Sequence, residues 1–438
     1  MALSVVDHSP RLARRYVGRE YAVQAYLAVL RIRDYRLLWI ALVLNLLGDG
    51  ATFTALAWIT VERAGAAGLG VLGVCFTLPV LLGGAVIGPV LDRFSRRKLL
   101  IWDSTVRGFV VAAIPLLAAL NALAMWQLYA FATVYGLLKI IPLAGTPAVI
   151  PELVPQERLQ AAMGLESTAM GAASIAGPAL GAGLIALIGP ANVLLLDAVT
   201  YLAFAALIAA IRTPLGRPEP AGADQAQQGV GWMPVVRLLL RDRFLLALTL
   251  GFASFNIATG ALLVILPWLA KFEYAYGATV LGLMLAAAAG AELIGSIVSG
   301  AVKTSDRQML RIGVLQVIAG SFFLLMLPRS LPWVLAALVL NGILAGPLTV
   351  MGGVVRLTRI PNLLRGRAMT LMRTMMSGAL PLGAAIGGFL LAGNRFGALV
   401  VIMATLATLP GVLIAASFRG ADFRADVARP PQPAPATP

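Results

Sequence analysis

Ionisable side chains inside long apolar stretches are the residues of this sequence that could do chemistry. Asp49 and Lys139 each lie near the middle of such a stretch, where an unpaired charge is costly. Asp49 therefore suits a proton carrier that alternates between charged and neutral forms, and Glu292 is the alternative carboxylate for that role. Asp49 and Lys139 can instead form a fixed ion pair. The two interpretations are compatible, because protonation of Asp49 would free the lysine.

Residues for other kinds of chemistry are scarce. The sequence holds one cysteine, Cys75, and one histidine, His8, which exclude an intrachain disulfide and a histidine-bearing metal site. No HExxH or GxSxG motif accompanies them, so a membrane-embedded enzyme is disfavoured. The absence of a GxxxxGK[ST] loop disfavours a nucleotide-driven pump, and no ring of repeated charges suggests a channel. We expect no metal and no cofactor.

The composition is that of a membrane protein. Hydrophobic residues make up 60% of the 438 positions and charged residues 12%, against roughly 25% charged in soluble domains; the mean hydropathy is +0.89. Runs near the 20 residues that a membrane helix needs predict an all-α protein with twelve spans, numbered in chain order. Their predicted limits are 37–60, 68–91, 99–120, 125–150, 162–188, 192–211, 244–270, 276–301, 312–328, 332–356, 368–392 and 397–418.

The basic residues orient these spans. If the N-terminus is cytoplasmic, 27 of the 34 lysines and arginines face the cytoplasm and four face outside, as the positive-inside rule requires. The first 36 residues contain no apolar core of a cleavable signal peptide, so the first span should remain as an anchor. We expect a multi-pass protein of a bacterial-type inner membrane with both termini inside. The net charge of +15 is spread over short clusters between spans, which favours anionic lipids over nucleic acid as partners.

A repeat divides the chain into two halves. Arg33-Asp34-Tyr35-Arg36-Leu37-Leu38 enters span 1, and Arg241-Asp242-Arg243-Phe244-Leu245-Leu246 enters span 7 with the same pattern 208 residues later. Two parallel six-span halves joined by a cytoplasmic linker are typical of alternating-access transporters. The predicted units are a basic arm, two six-helix bundles, a linker that could hold a short interfacial helix, and a disordered tail, in a protein expected to be a monomer: 1–36, 37–211, 212–243, 244–418 and 419–438.

The loop between spans 2 and 3 combines one acid with several bases. Its bases are expected to keep the loop inside, and that function alone would explain them. Asp92 suggests more, because an acid at the membrane edge can cap a helix end and pair with arginines. We predict a latch between the halves that can break and reform, with Gly88 allowing close helix approach. Its residues are Gly88, Asp92, Arg93, Arg96 and Arg97.

Three further sets of charges have structural interpretations. Asp103 and Arg107 are four residues apart and share one helix face of span 3; we expect this pair to support the same latch and to lie outside the transport pathway. Glu166 and Arg373 occupy related places in spans 5 and 11 and are predicted to form a gate pair between the halves. Asp197, near the outer end of span 6, is expected to be solvated.

These motifs resemble a known family. Gly88, Asp92, Arg93, Arg96 and Arg97 match the loop two-three signature of the major facilitator superfamily, with Ser95 in place of its second glycine. Leu47-Gly48-Asp49-Gly50, the run Pro147 to Pro155, and Leu364-Arg365-Gly366-Arg367 resemble the branch that holds enterobactin-type siderophore exporters, macrolide efflux proteins and Tap-like multidrug pumps. In span 5, Gly177-Pro178-x-x-Gly181-x-Gly183 is similar to the signature of drug/proton antiporters.

The resemblance implies a function and further site residues. It implies the major facilitator fold and proton-coupled export of amphiphilic small molecules, such as drugs or siderophores, with a lipid or lysophospholipid transporter as the alternative. The span 5 glycines and Pro178 would bend that span and seal the central cavity against proton leak, or would serve only in helix packing. Independently of the resemblance, Phe53, Tyr135 and Asn256 could line an apolar central cavity that suits drug-like molecules, or they could face lipid.

Overall fold

The computed structural model describes residues 24–215, 232–300, 307–361 and 364–419; within them, the side chains of residues 84–93 and 300 are not described. Eleven helical segments in these ranges are long and apolar enough to cross a membrane. In the first half they are Arg33–Arg93, Arg96–Ala119, Met125–Leu138 continued by Ile140–Leu153, Leu159–Ile188 and Pro190–Ala209. In the second half they are Arg243–Phe272, Gly277–Gly300, Gln308–Ser321 with a 3-10 turn at Phe322–Met326, Leu331–Arg359, Arg365–Ser377 continued by Leu380–Ala392, and Phe396–Ser417.

The first helix contains spans 1 and 2. Its 61 residues would extend about 90 Å as one straight helix, three times the thickness of a bilayer core. The helix is broken at Gly65, whose φ of 61° and ψ of −153° suit glycine, which lacks a Cβ. The rings of Phe53 and Phe76 are in contact at a tilt of 58°, with centroids 4.7 Å apart, whereas a straight helix would hold these residues about 35 Å apart. The described part of the chain therefore crosses the membrane twelve times, and the predicted all-α class is confirmed.

The two halves pack their spans alike. Span 3 packs on span 6 as span 9 packs on span 12, and span 2 packs on span 4 as span 8 packs on span 10. Spans 1 and 5 pair in the first half as spans 7 and 11 pair in the second. This correspondence agrees with the 208-residue repeat and gives two pseudo-symmetric bundles.

The halves meet near the ends of their spans that are predicted to face outside. The Nζ atom of Lys271, at the end of span 7, lies 2.7 Å from Oε1 of Glu62 in span 1 and 5.3 Å from the ring centre of Trp58. Span 2 touches span 11 at Gly70 and Gly388, where a Cβ on Gly388 would lie 2.6 Å from the Cα of Gly70. We call these five residues, Trp58, Glu62, Gly70, Lys271 and Gly388, the outer seal.

A short amphipathic helix, Trp232–Arg241, precedes span 7. It buries Val235 and Leu239 against residues of spans 7 and 11 that include Leu245 and Met372. Asp242 then caps span 7 through the backbone N–H groups of Phe244 and Leu245. The linker thus ends in a short helix that packs on the second half beside the start of span 7.

Candidate functional site

Asp49 is the centre of a buried cluster in the first half. Its side chain is on span 1 and the residue is 5% exposed. Its Oδ1 atom accepts hydrogen bonds from the hydroxyls of Tyr135, at 2.7 Å, and Tyr201, at 2.5 Å. Two cations also face it: Nη1 of Arg107 lies 3.5 Å from Oδ1, and Nζ of Lys139 lies 3.6 Å from Oδ2. The predicted approach of Asp49 and Lys139 is therefore present, within a larger network.

Arg107 joins this network to a second carboxylate. Its guanidinium is completely buried, donates from Nε to both Asp103 oxygens at 3.0 and 3.1 Å, and also bonds Asp103 through Nη2. It lies over the ring of Tyr201, 4.6 Å from the centroid, and donates to the Tyr201 hydroxyl at 3.1 Å. The predicted Asp103–Arg107 pair is therefore formed, and the long arginine side chain also reaches from span 3 into the Asp49 network.

Small residues let the surrounding spans close on Asp49. A Cβ on Gly50 would lie 2.6 Å from Cδ of Pro178, and one on Gly181 would lie 2.5 Å from the Cα of Ala51. Gly177 likewise faces the carbonyl of Leu47. These residues of the span 5 motif therefore allow close packing between spans 1 and 5. Span 5 itself is one continuous helix, Leu159–Ile188.

The remaining residue of the span 5 motif has no such contact. A Cβ on Gly183 would meet nothing within 4 Å. The alternative interpretation, that the motif serves in helix packing, therefore applies to Gly177 and Gly181. Pro178 additionally lines the central cavity described below.

A small cavity of about 40 Å³ adjoins the Asp49 network. Asn45, Asp49, Lys139 and Glu166 contribute its polar walls. Glu166 is buried, whereas Arg373 is exposed, and no ion pair joins these two described residues. The structure thus places Glu166 beside the Asp49 network and leaves Arg373 exposed, without the predicted gate pair between them.

A larger cavity of about 420 Å³ lies between the halves. Its walls are mainly aliphatic and aromatic, and Glu292 is the one charged residue among its described lining residues. Phe53 and Asn256 line it as predicted, and Asn256 donates from Nδ2 to the carbonyl of Met376 at 2.9 Å. Tyr135 does not line it, since its hydroxyl is used by Asp49. The other polar residues of the wall are Thr54, Ser174, Thr259, Gln316, Asn341 and Thr349.

The bases of the predicted latch contact their own half. Arg96 donates to Oε1 of Glu152 at 2.6 Å and to the carbonyl of Ala148 at 2.8 Å, both in span 4. Arg97 bonds the carbonyl of Ala209 in span 6. The described contacts of these two arginines therefore tie spans 3, 4 and 6 together within one half, and do not bridge the halves. The side chains of Gly88, Asp92 and Arg93 lie outside the described residues.

Near Asp49, Tyr201 was missed from the sequence and the burial of Asp197 was not predicted. Tyr201 bonds Asp49, and Asp197, expected to be solvated, is only 2% exposed. Asp197 is buried because span 6 packs closely on span 1, so that a Cβ on Gly48 would overlap the Asp197 carboxylate. The spacing of four between Asp197 and Tyr201, which places both on one helix face, was the signal available in the sequence.

Comparison with known proteins agrees with this architecture. The family model described as Major Facilitator Superfamily matches residues 38–330 and 257–438. A relative from Mycobacterium tuberculosis strain H37Rv named multidrug efflux pump Tap is 27% identical over 354 residues, covering 78% of this chain and 83% of that protein. The Tap protein of Mycolicibacterium fortuitum is 25% identical over 362 residues, covering 78% and 85%.

Solved structures show the same fold at low identity. The nucleoside transporter NupG gives a TM-score of 0.65 at 14% identity, covering 91% of this chain and 100% of that one. A bacterial homologue of the iron transporter ferroportin, in an inward-facing state, gives 0.63 at 18% identity, covering 91% and 99%. With twelve spans in two pseudo-symmetric bundles and a matching family model over most of its length, the chain belongs to the major facilitator superfamily.

Proposed function

We propose that this multi-pass membrane protein is a proton-coupled secondary transporter that exports amphiphilic small molecules. The observation that carries the proposal is the separation of two sites: a roomy apolar cavity between the halves and a compact buried charge network in the first half. A cavity shared by both halves can hold a substrate while they rock about it, as in transporters built from repeats. The similarity to proteins named multidrug efflux pumps supports export as the direction.

The central cavity suits a hydrophobic molecule with a positive charge. Its volume of about 420 Å³ is in the range of small-molecule sites, and its apolar walls with few polar groups fit such ligands. No cation among the described residues forms an ion pair with Glu292. A cationic group on the substrate would supply the missing partner, since a carboxylate in a low-dielectric site gains most from an opposite charge.

The charge network suits the coupling step. The Asp49 carboxylate pairs with Arg107 and Lys139. It also accepts hydrogen bonds from two tyrosine hydroxyls, one on span 4 and one on span 6. A change of one charge there alters contacts among spans 1, 3, 4 and 6 at once, because in a buried network each group depends on its partners. The proton gradient would be the energy source, and no cofactor is required by this scheme. We place the protein in a bacterial inner membrane with both termini in the cytoplasm, as a monomer whose cytoplasmic bases contact anionic lipids.

Efflux from cells tests the proposal. Cells that express the protein are loaded with ethidium, a cationic amphiphile, and its loss is followed with and without a proton uncoupler. We expect faster efflux than from cells expressing Asp49→Asn, and the uncoupler should abolish the difference. Efflux that is insensitive to the uncoupler would remove proton coupling, and uptake would reverse the direction. A fluorescent lysophospholipid, run in parallel, tests the alternative substrate class.

A further inference from the structure

We propose that Asp197 is the group that binds and releases the transported proton, and that Asp49 stays ionised as the anchor of its cations. This inference rests on the proton coupling proposed above and assigns its carrier. Asp197 lies on span 6, one helical turn before Tyr201, and Tyr201 donates a hydrogen bond to Asp49. Asp197 therefore borders the Asp49 network, but its own hydrogen-bond partners are different residues. The two buried carboxylates differ in what surrounds them.

Asp49 has the surroundings of a permanent anion. Arg107 and Lys139 both lie within 4 Å of it, and two tyrosine hydroxyls donate to it. Protonation of Asp49 would leave buried Arg107 with Asp103 as its remaining anionic partner and would remove the carboxylate that pairs with Lys139. Breaking a buried ion pair in this way is strongly unfavourable.

Asp197 has hydroxyl partners only. Thr52 of span 1 donates to Oδ2, and the hydroxyl of Thr200 lies 2.7 Å from Oδ1. No cation among the described residues forms an ion pair with it, although its carboxylate is buried. The charged and titratable groups next beyond this shell are Asp49 and Arg107, with Tyr135 and Tyr201. A buried carboxylate without a cation is the one that takes up a proton most readily.

The hydroxyls fit both protonation states without rearrangement. The Thr200 hydroxyl also lies 2.9 Å from the backbone carbonyl of Asp197. When Asp197 is ionised, Thr200 can donate to Oδ1. When Asp197 is protonated, its own hydroxyl can donate to Thr200, which then donates to the carbonyl, a common local bond for threonine. Neither state leaves a polar group unpaired, as a reversible proton site requires.

Ionisation of Asp197 would act on the helices through Arg107. A new negative charge on span 6 competes with Asp49 and Asp103 for the buried guanidinium of Arg107, which lies on span 3. Thr52 connects the same carboxylate directly to span 1. Proton release would therefore bias the packing of spans 1, 3 and 6, and these spans change their relation to the second half when access alternates.

Infrared difference spectroscopy of the purified full-length protein tests the assignment without requiring transport. We expect a carboxylic acid C=O band that disappears as the pH is raised. This band should be absent in Asp197→Asn, retained in Asp49→Asn, and displaced to higher wavenumber in Thr200→Val, because a hydrogen bond is lost. Asp197→Glu, which keeps a carboxyl group, should retain a displaced band and serves if the asparagine variant does not fold. A band unchanged in Asp197→Asn, or lost in Asp49→Asn, would overturn the proposal.

Reconstituted protein separates this inference from the proposed function. Asp197→Asn in proteoliposomes should still exchange internal for external ethidium at equal pH, while a pH gradient should no longer drive net movement. Loss of exchange together with an unchanged infrared band would contradict the assignment. If the unmodified protein shows no drive by the gradient, the proposed coupling fails, whereas the infrared titration still decides whether Asp197 binds the proton.

Discussion

Lys271 of the second half and Glu62 of the first form an ion pair of 2.7 Å at the ends of spans 7 and 1 that are proposed to face outside. Both side chains are about one third exposed, so the pair itself contributes only about 0 to 1 kcal/mol. Its importance lies in its position, because it joins halves that must separate at this end when the cavity opens outward.

Charge reversal in the outer seal should shift the conformational balance. Glu62→Lys places two cations together and should disfavour the closed outer end by about 1 kcal/mol, a change of about fivefold in population. The double variant Glu62→Lys/Lys271→Glu restores opposite charges and should return the population toward its original value. Spin labels at Ala122 and Arg395, which are exposed in the loops after spans 3 and 11, measure the distance between the two halves. The labels are introduced into a Cys75→Ser background. Equal distance distributions in all three proteins would show that the ion pair has no part in closure.

The span 5 motif offers a matched pair of glycines. Gly181→Ala should force spans 1 and 5 apart, since its Cβ would lie 2.5 Å from the Cα of Ala51; overpacking of this kind costs about 1 to 3 kcal/mol. Gly183→Ala adds a methyl group to open space and should leave stability equal or improved, by up to about 1 kcal/mol. Thermal unfolding in detergent and ethidium efflux report both effects. Similar losses in the two variants would contradict the packing interpretation.

Arg107 should be among the residues most important for stability. Arg107→Ala leaves Asp103 buried without a cation and should destabilise the protein by about 3 to 5 kcal/mol. The double variant Asp103→Asn/Arg107→Gln removes both charges and should lose less. Unfolding temperatures of the two variants, measured side by side, check this order. A double variant that is less stable than Arg107→Ala would mean that Asp103 is stabilised by something other than the arginine.

Glu292 should select substrates by charge. Glu292→Gln keeps the shape of the cavity wall but removes its negative charge, so binding of ethidium should weaken by about tenfold, as expected for one charge-assisted contact. A neutral dye of similar size should bind equally to both proteins. Fluorescence titration of the purified proteins makes the comparison. Equal affinity of the variant for ethidium would place the cation elsewhere.

Much of the fold could be predicted from the sequence, because apolar run length, the positions of bases and the repeat are all local patterns. The twelve spans follow from them, including spans 1 and 2, which the break at Gly65 separates. The partners of buried charges were harder to predict. Spacing identified Asp103 and Arg107 as neighbours, but the guanidinium has several donors, and its reach to Asp49 depends on how span 3 packs on spans 1 and 6.

The fate of Asp197 shows the same limit. Its position two turns inside span 6 is visible in the sequence, but its burial depends on Gly48, which lets span 1 approach. Likewise, Glu166 and Arg373 occupy related positions in the repeat, yet the structure buries one and exposes the other. The pseudo-symmetry of the repeat predicts where the backbones lie. Side-chain pairing across the halves depends in addition on which ends of the two bundles are in contact.

Transport driven by an imposed pH gradient tests the central claim most directly. Purified protein is reconstituted into liposomes with ethidium on one side, and its movement is followed as a proton gradient is applied in either direction. The account predicts net ethidium movement against the direction of proton flow, reversing when the gradient is reversed and absent in Asp197→Asn. Ethidium movement that is the same with and without the gradient would contradict it.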